Sequence, residues 1–385
     1  MQRKWISSFT ERYSIGKGIL SGYLSIFFAL LALGGVLCFL FPEALTTPEL
    51  REVYTARSMK IALTLTLGGS IFFGILSIFL GNLRKEGLVG IAIAAIAIFI
   101  GGFEVQGRAV DRVSWHLGLD WLLLDLLVMA LLFVPIEMLF PKREHQSRFH
   151  AEWRTDLVYF AISHLLIQFF GIITQKPAVV FFGSLNLEPL HVWTRSLPWV
   201  AELILAFFVT DVFQYWAHRI FHSNQYLWRF HAIHHSTRAM DWLAGSRTHF
   251  IDIFFTRSIS FIPLYVFGFS TLTFNIYVVV ISIHAVYIHA NTTLNIGPLK
   301  TILTTPQYHH WHHCLEKEKY GKNFAVFFSF IDRIFGTYFL PEQEWPQGTG
   351  IDEAQFPKGY LRQLVYPFRA NPFASTLPQS ERCDR

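Results

Sequence analysis

Long apolar runs separated by short basic loops dominate the first 140 residues. The chain is almost uninterruptedly apolar from about Gly18 to Phe41, and further runs follow near Ile61–Leu80, Gly87–Phe103 and Leu119–Phe140. A helix needs roughly 20 apolar residues to cross the hydrocarbon core of a bilayer, so four membrane helices are expected here. The first run is too long for the core of a cleaved leader and lacks a small-residue cleavage pattern, so it reads as a retained anchor. Gly87, Gly90, Gly101 and Gly102 on the third run predict close helix packing. Further along, apolar stretches lie near Asp156–Phe182 and Leu197–Trp216, with Trp193 and two prolines between them at an expected interfacial segment. A last apolar region spans about Ile253–Val286. Its Pro263, Gly268 and Ser270 predict a broken hairpin that enters and leaves on one side. The tail from about Pro341 is polar and proline-rich and reads as mostly irregular, and no internal repeat is visible.

The expected architecture is therefore all-α: a polytopic helical membrane protein with a histidine-rich helical cap on the cytoplasmic side. Residues 1–140 supply about four transmembrane helices, 141–345 the chemistry, and 346–385 a polar tail. Orientation comes from the loops. Arg3, Lys4, Arg12 and Lys17 precede the first run, Arg84 and Lys85 separate the second and third, and Lys142, Arg143, Arg148 and Arg154 follow the fourth. Alternate loops rich in Lys and Arg belong on the cytoplasmic side.

Composition agrees with the pattern. Hydrophobic residues make up 52% and charged residues only 15%, against about 25% charged in soluble domains. The formal charge of +5 is spread along the chain without an isolated basic domain, so nucleic acid is not an expected partner. Cys38, Cys314 and Cys383 lie far apart and form no CxxC pair, which removes a disulfide framework and a Cys-based zinc or iron–sulfur site.

The histidines change the picture. Twelve of the 17 fall between His218 and His313. His218 and His222 are i and i+4, and His231, His234 and His235 repeat the i, i+3, i+4 spacing, as do His309, His312 and His313. Each set shares one helix face. A lone histidine is usually a surface or satisfied core residue, and His116, His145, His150, His164 and His191 are read that way. Eight imidazoles in three matched boxes are different. They exceed what one tetrahedral zinc takes, and neutral imidazole also suits iron, copper and nickel. Two metals of higher coordination number use them better. Within the third box, each residue advances about 100° around a helix. His312 and His313 then lie about 60° and 40° either side of His309, while His310 falls roughly 160° from His312. His310 is expected to face away.

The order HRxxH, HxxHH, HxxHH resembles the fatty acid hydroxylase, or sterol desaturase, superfamily of integral membrane di-iron enzymes. The resemblance covers about Arg154 to Pro341 and includes Tyr215-Trp-Ala-His218-Arg219, Thr305-Pro306, and Asp332 to Tyr338. It brings two further histidines into view. Arg247-Thr-His249-Phe250-Ile-Asp252 is similar to the family's R-x-H-P-x-E run, with Phe for Pro and Asp for Glu. His289-Ala-Asn291 matches its H-x-N. The resemblance implies two iron ions, O₂ as co-substrate, a lipid-like substrate and an electron donor in trans, such as a ferredoxin, cytochrome b5 or associated reductase. No cytochrome b5-like domain, CxxCH, flavin or NAD fingerprint is visible in the chain itself.

The expected ligands are His218, His222, His231, His234, His235, His309, His312 and His313, with His249 and His289 as additions. Asp211, Asp252 and Asn291 are expected to orient them from outside the ligand set. The expected reaction is O₂-dependent hydroxylation or desaturation of a lipid C–H bond. The first 140 residues lie outside the resemblance; bracing the catalytic half is the first reading of them, and shaping a substrate entrance or recruiting a redox partner stays open. Two other classes stay open at this point, a membrane cytochrome with histidine-ligated haem and a metal transporter or sensor. His284 also stays open, between a functional group at membrane depth and a backbone-paired one.

Overall fold

The structure is a computed structural model, which describes residues 18–102, 116–166, 169, 173, 180–294, 296–342, 344–351 and 356–369. The basic N-terminus with Arg3, Lys4, Arg12 and Lys17, much of the stretch 167–179, and Cys383 lie outside the described residues. The described residues are helical, with two isolated β-bridges and no strand. Two compact units divide between Leu127 and Val128.

In the first unit, α1 (Ile19–Leu40), α2 (Ala56–Leu80) and α3 (Arg84–Phe99) pack through small residues. Ala29, Ala32, Val36, Leu63, Leu67, Ala94 and Ala97 form its core. Ser25 and Ser70 exchange hydroxyl-to-carbonyl bonds of 2.8 and 2.9 Å across α1 and α2. A Cβ on Gly87 would stand 2.7 Å from the Gly74 carbonyl oxygen, so only glycine lets α2 and α3 approach this closely. Membrane helices without a hydrophobic drive between them associate through such close backbone contact. The third apolar run thus forms a helix as expected. It ends at Phe99, however, and with 16 residues it is shorter than the spanning helices.

The second unit begins within α4 (Leu119–Leu139) and continues through α5 (Trp153–Leu165), α6 (Glu188–Ser196), α7 (Trp199–Ser223), α8 (Gln225–His235), α9 (Phe250–Phe267), α10 (Thr271–His289), α11 (Pro306–His312) and α12 (Phe330–Ile334). Helices α7, α9 and α10 bury Ala206, Phe207, Leu264, Phe269 and Tyr277 together. The expected hairpin is present, with Gly268 and Ser270 at its turn and Pro263 inside α9. Gly268 makes the turn at φ +61°, its N–H returning to the Leu264 carbonyl at 3.2 Å. Glu202 on α7 secures that turn by accepting from the Ser270 N–H at 2.6 Å. The tail is not wholly irregular, since Tyr360–Val365 is helical.

Among the described residues, six helices are long and apolar enough to span a membrane: α1, residues Arg57–Leu80 of α2, α4, α7, α9 and α10. The chain is a multi-pass membrane protein.

Candidate metal centre

Three local devices aim the histidine boxes. At the end of α7 the Asn224 side chain accepts from the Tyr226 and Leu227 N–H groups at 2.9 and 3.2 Å, starting α8 at once. This N-cap turns the chain so that His231, His234 and His235 come back toward His218 and His222. Thr305 caps α11 in the same way, accepting from Tyr308 N–H at 3.3 Å, with Pro306 at the first helical position. His313 closes α11 with its N–H on the His309 carbonyl, which keeps the helical spacing of the third box intact.

The nitrogens converge in two groups. His218, His222, His231, His235 and His312 form one, and His234, His289, His309 and His313 the other, with the possible ligand atoms of each group within 4.8 Å of one another. All nine are buried. The groups adjoin, the His235 and His313 rings stacking at 4.2 Å between centroids.

Five of these imidazoles are held from behind through Nδ1. The acceptors are the Phe324 carbonyl for His218 (2.8 Å), Asp252 Oδ2 for His231 (2.7 Å), the Arg247 carbonyl for His234 (3.3 Å), the Ala285 carbonyl for His289 (2.7 Å) and the Lys322 carbonyl for His312 (2.8 Å). An acceptor at Nδ1 fixes the proton there and leaves the Nε2 lone pair pointing inward. Outside the spanning segments, burial pushes the His234, His235, His309 and His313 pKa values well below the usual imidazole range, and His312 to about 3. Neighbouring imidazoles add to the effect. These rings are neutral at physiological pH and available as ligands.

The same geometry tests whether metal ions fit. His218 and His231 Nε2 atoms face each other at 3.0 Å, and those of His234 and His289 at 3.2 Å. In the His234–His289 pair, whose Nδ1 protons both go to backbone carbonyls, neither neutral ring has a hydrogen on Nε2 to share. Two opposed lone pairs at that distance repel unless a cation lies beside both. Nitrogens each about 2.1 Å from a first-row metal ion stand about 3.0 Å apart when the bonds meet at a right angle. Buried His235 Nε2 has no hydrogen-bond partner among the described residues, as a ligand nitrogen would not. The donor set fits two ions.

Four expectations need correction or completion. His249 stands outside both groups. Its Nδ1 accepts from Ile251 N–H at 3.1 Å as the N-cap of α9, and its Nε2 reaches the Leu364 carbonyl at 3.1 Å, so both nitrogens are occupied. Asp211 makes no hydrogen bond to an imidazole among the described residues; its carboxylate accepts from the N–H groups of Val326, Phe327 and Phe328 at 2.6–3.2 Å and pins that loop. Asn291 likewise staples the Arg143 backbone, through Oδ1 at 2.8 Å and Nδ2 at 3.2 Å. Only Asp252 contacts a histidine of the groups directly. His284 pairs with Thr304 Oγ1 at 2.8 Å, and His310 turns away, with Nε2 3.3 Å from the His289 carbonyl.

Sequence reasoning missed Asp332, Asn323 and Glu137. Buried Asp332 accepts from the Phe324 and Ala325 N–H groups (2.8 and 2.7 Å), Thr337 Oγ1 (2.6 Å) and the Tyr308 hydroxyl. It holds the loop whose carbonyls receive His218 and His312. Asn323, at φ +61°, ties that loop to the carbonyls of Tyr308 and Phe339 at 2.9 and 2.7 Å. Glu137 Oε1 accepts from Trp242 and Asn291 N–H at 2.8 and 2.9 Å. Asp332 sits in the Asp332–Tyr338 run quoted above, so its position was visible although its task was not.

A cavity of about 220 Å³ opens on the histidines and runs between α7, α9 and α10. His218, His231, His234, His289 and His309 line one part, and Phe207, Phe261, Tyr277, Val278, Ile281 and Ile288 give it apolar walls. The shape suits an apolar chain lying beside the metal groups.

Replacing Asp252 by Leu is expected to weaken metal binding about 10- to 100-fold, because His231 loses the acceptor that fixes its tautomer. Competition with a chromophoric chelator measures it. Unchanged affinity would show that the pairing has no hold on the ligand.

Residues 203–337 match the family model described as fatty acid hydroxylase, so this stretch is a fatty acid hydroxylase domain. Similar curated proteins include an ornithine lipid hydroxylase of Rhizobium tropici, 32% identical over 46% of this chain and 54% of its own length. An alkylglycerol monooxygenase of Homo sapiens is 30% identical over 44% of this chain and 39% of its own. A methylsterol monooxygenase of Arabidopsis thaliana is 29% identical over 36% and 46%. The chain thus spans about half the length of these relatives or less. No solved structure matches it.

Proposed function

We propose, with the fatty acid hydroxylase domain as premise, that the chain is a membrane-bound, O₂-dependent oxidoreductase holding two iron ions and hydroxylating a C–H bond of a lipid-like substrate. One observation carries the reading: two adjoining groups of buried imidazoles stand against an apolar cavity among spanning helices. The similar proteins, named as hydroxylases and monooxygenases of ornithine lipid, alkylglycerol and methylsterol, support the reaction class. The imidazole nitrogens of one group, 3.0–3.2 Å apart, are closer than axial ligands on opposite faces of one haem, which speaks against a cytochrome.

His218, His222, His231, His235 and His312 would hold one iron, and His234, His289, His309 and His313 the other. Bound iron would supply O₂ activation and the oxidising power for an unactivated C–H bond. The rest falls to the chain. Asp252, together with the carbonyls of Phe324, Arg247, Ala285 and Lys322, keeps the Nδ1 protons in place and the ligand rings oriented. The apolar walls of the cavity hold the substrate chain and exclude water. For hydroxylation the balance is RH + O₂ + two electrons + two protons → ROH + H₂O, so a donor in trans, such as a ferredoxin, cytochrome b5 or reductase, must deliver the electrons. Removal of a second hydrogen instead gives desaturation.

Protein purified from iron-replete cells is expected to carry two irons per chain by elemental analysis, with a Mössbauer signature of a nitrogen-ligated pair. One tightly bound zinc in active protein would overturn the di-iron reading. The histidines are further proposed to face the cytoplasm, on the basic loops at Arg84–Lys85 and Lys142–Arg154. Ser223 is exposed at the end of α7, so Ser223→Cys should react with an impermeant maleimide only from the cytoplasmic side. Labelling from the outer face alone would reverse the orientation.

A further inference from the structure

Resting on the lipid-oxidation reading, we infer that Gln214 is a specificity-determining residue that binds an oxygen atom of the substrate close to the carbon that reacts, so that the substrate is an oxygenated lipid rather than a plain hydrocarbon chain. Gln214 lies in the spanning helix α7, four residues before His218. That spacing puts both on one helix face, with a rise of about 6 Å between them. Both line the cavity.

The amide is held in one orientation by the opposite wall. Asp252, Thr256 and Ser260 follow one another at four-residue steps along α9 and all line the cavity. Asp252 is engaged by His231, and Thr256 donates back to the Asp252 carbonyl at 2.7 Å. The single Ser260 hydroxyl hydrogen is shared between Gln214 Oε1 and the Thr256 carbonyl, 2.6 Å away. This pins the carbonyl end of the amide and leaves Nε2, with two N–H donors, without a partner among the described residues. On α10, the Ser282 hydroxyl lines the same cavity and also has no partner among them. Ser282 precedes His289 by seven residues, two turns on nearly the same face.

A primary amide placed in a membrane-spanning helix and left half-satisfied is costly unless something binds it. Apolar chains offer nothing to these donors. An ether, ester, amide or hydroxyl oxygen does. With Gln214 one turn from His218, such an oxygen would sit only a few bonds from the carbon presented to the metal groups. Ser282, a turn farther out, can accept from or donate to a second oxygen of the head group. Hydroxylation would then fall near the polar end of the lipid and not in mid-chain.

Thermal-shift titrations of the detergent-solubilised full-length protein, free of added metal, test the idea with hexadecyl methyl ether and hexadecyl acetate against hexadecane. The wild type is expected to bind the oxygenated probes about tenfold more tightly than the alkane. Gln214→Leu should erase that preference while leaving alkane binding unchanged. Should Gln214→Leu fail to fold, Ser282→Ala is the second arm, with an expected two- to threefold narrowing. Equal binding of the three probes by the wild type, or a preference that survives Gln214→Leu, overturns the inference. Turnover by the iron-loaded protein separates it from the reading it rests on. Preference lost with Gln214 but no probe oxidised would leave the inference standing and count against the oxygenase. Hexadecane and ether oxidised alike, with or without Gln214, would do the reverse.

Discussion

Single replacement of His309, His312 or His313 by alanine is expected to empty at least one metal group and cut turnover by a hundredfold or more, whereas His310→Ala keeps its metal and most of its activity. The first three place Nε2 atoms inside the groups, and His309 Nε2 lies 3.0 Å from His289 Nε2 and 3.1 Å from His313 Nε2. His310 is equally buried, and burial pushes its pKa to about 3, yet its ring runs edge-on to Trp345 at 5.2 Å and leads away from both groups. Burial therefore does not separate ligand from bystander in this box; direction does. His249→Ala belongs with His310→Ala as a control. It removes the N-cap of α9, at a cost of about 1 kcal/mol in stability, and should leave metal content intact. The measurement is iron per chain beside turnover for each variant. A His310→Ala protein that loses metal while His309→Ala retains it would overturn the assignment.

The second large effect is expected at Arg247, far less visible than the histidines. Its guanidinium is fully buried, donating to Asp156 Oδ1 at 2.5 Å and to Glu152 Oε2 at 2.8 Å. Asp156 is itself fully buried, and burial raises its pKa above the usual carboxylate range even with Arg247 beside it. Removing one member of a buried pair leaves the other uncompensated and costs about 3–5 kcal/mol. Arg247→Met should therefore lower the thermal midpoint on the order of 10 °C. The Arg247 carbonyl also receives His234 Nδ1 at 3.3 Å, so loosening this segment should weaken the second metal group as well. Adding Asp156→Leu to Arg247→Met should recover much of the midpoint, since replacing both charges is far less damaging than stranding one. A double variant no more stable than the single would show that the loss comes from packing.

What the sequence could and could not disclose divides along a physical line. Helical period turns spacing into direction, so the common face of His218 and His222, and the outward turn of His310, follow from i, i+3 and i+4 alone. The spanning helices follow from length and apolarity. Which imidazole joins which group depends on how α7, α8, α10 and α11 meet, and no local pattern carries that. His231 and His235 go to one group and His234 to the other, although all three sit on one stretch of α8. The polar residues near the boxes were harder still. Asp211 serves backbone N–H groups 115 to 117 residues away, and Asn291 reaches back 148 residues to Arg143. Glu137 spans 105 and 154 residues to Trp242 and Asn291. His249 was drawn in by its place in a familiar run of residues, and the structure gives that place to a helix cap. The hairpin was legible, since Gly268 and Ser270 were among its expected marks. Proline is tolerated inside a membrane helix, so Gly268 rather than Pro263 decides where α9 stops.

The division of α8 and α11 between the two groups has a thermodynamic consequence. Each of these short helices sends side chains to both groups: His231 and His235 against His234, and His312 against His309 and His313. Neither can be shifted or frayed for the sake of one ion without disturbing the other. On the two-iron reading, ordering α8 and α11 around a first ion would preorganise most of the second compartment, so the second ion would bind a scaffold whose entropy has already been lost. The two occupancies would then be linked through the shared helices as well as by proximity. Half-loaded protein should be the minority species at any metal concentration, and loss of either ion should release its neighbour.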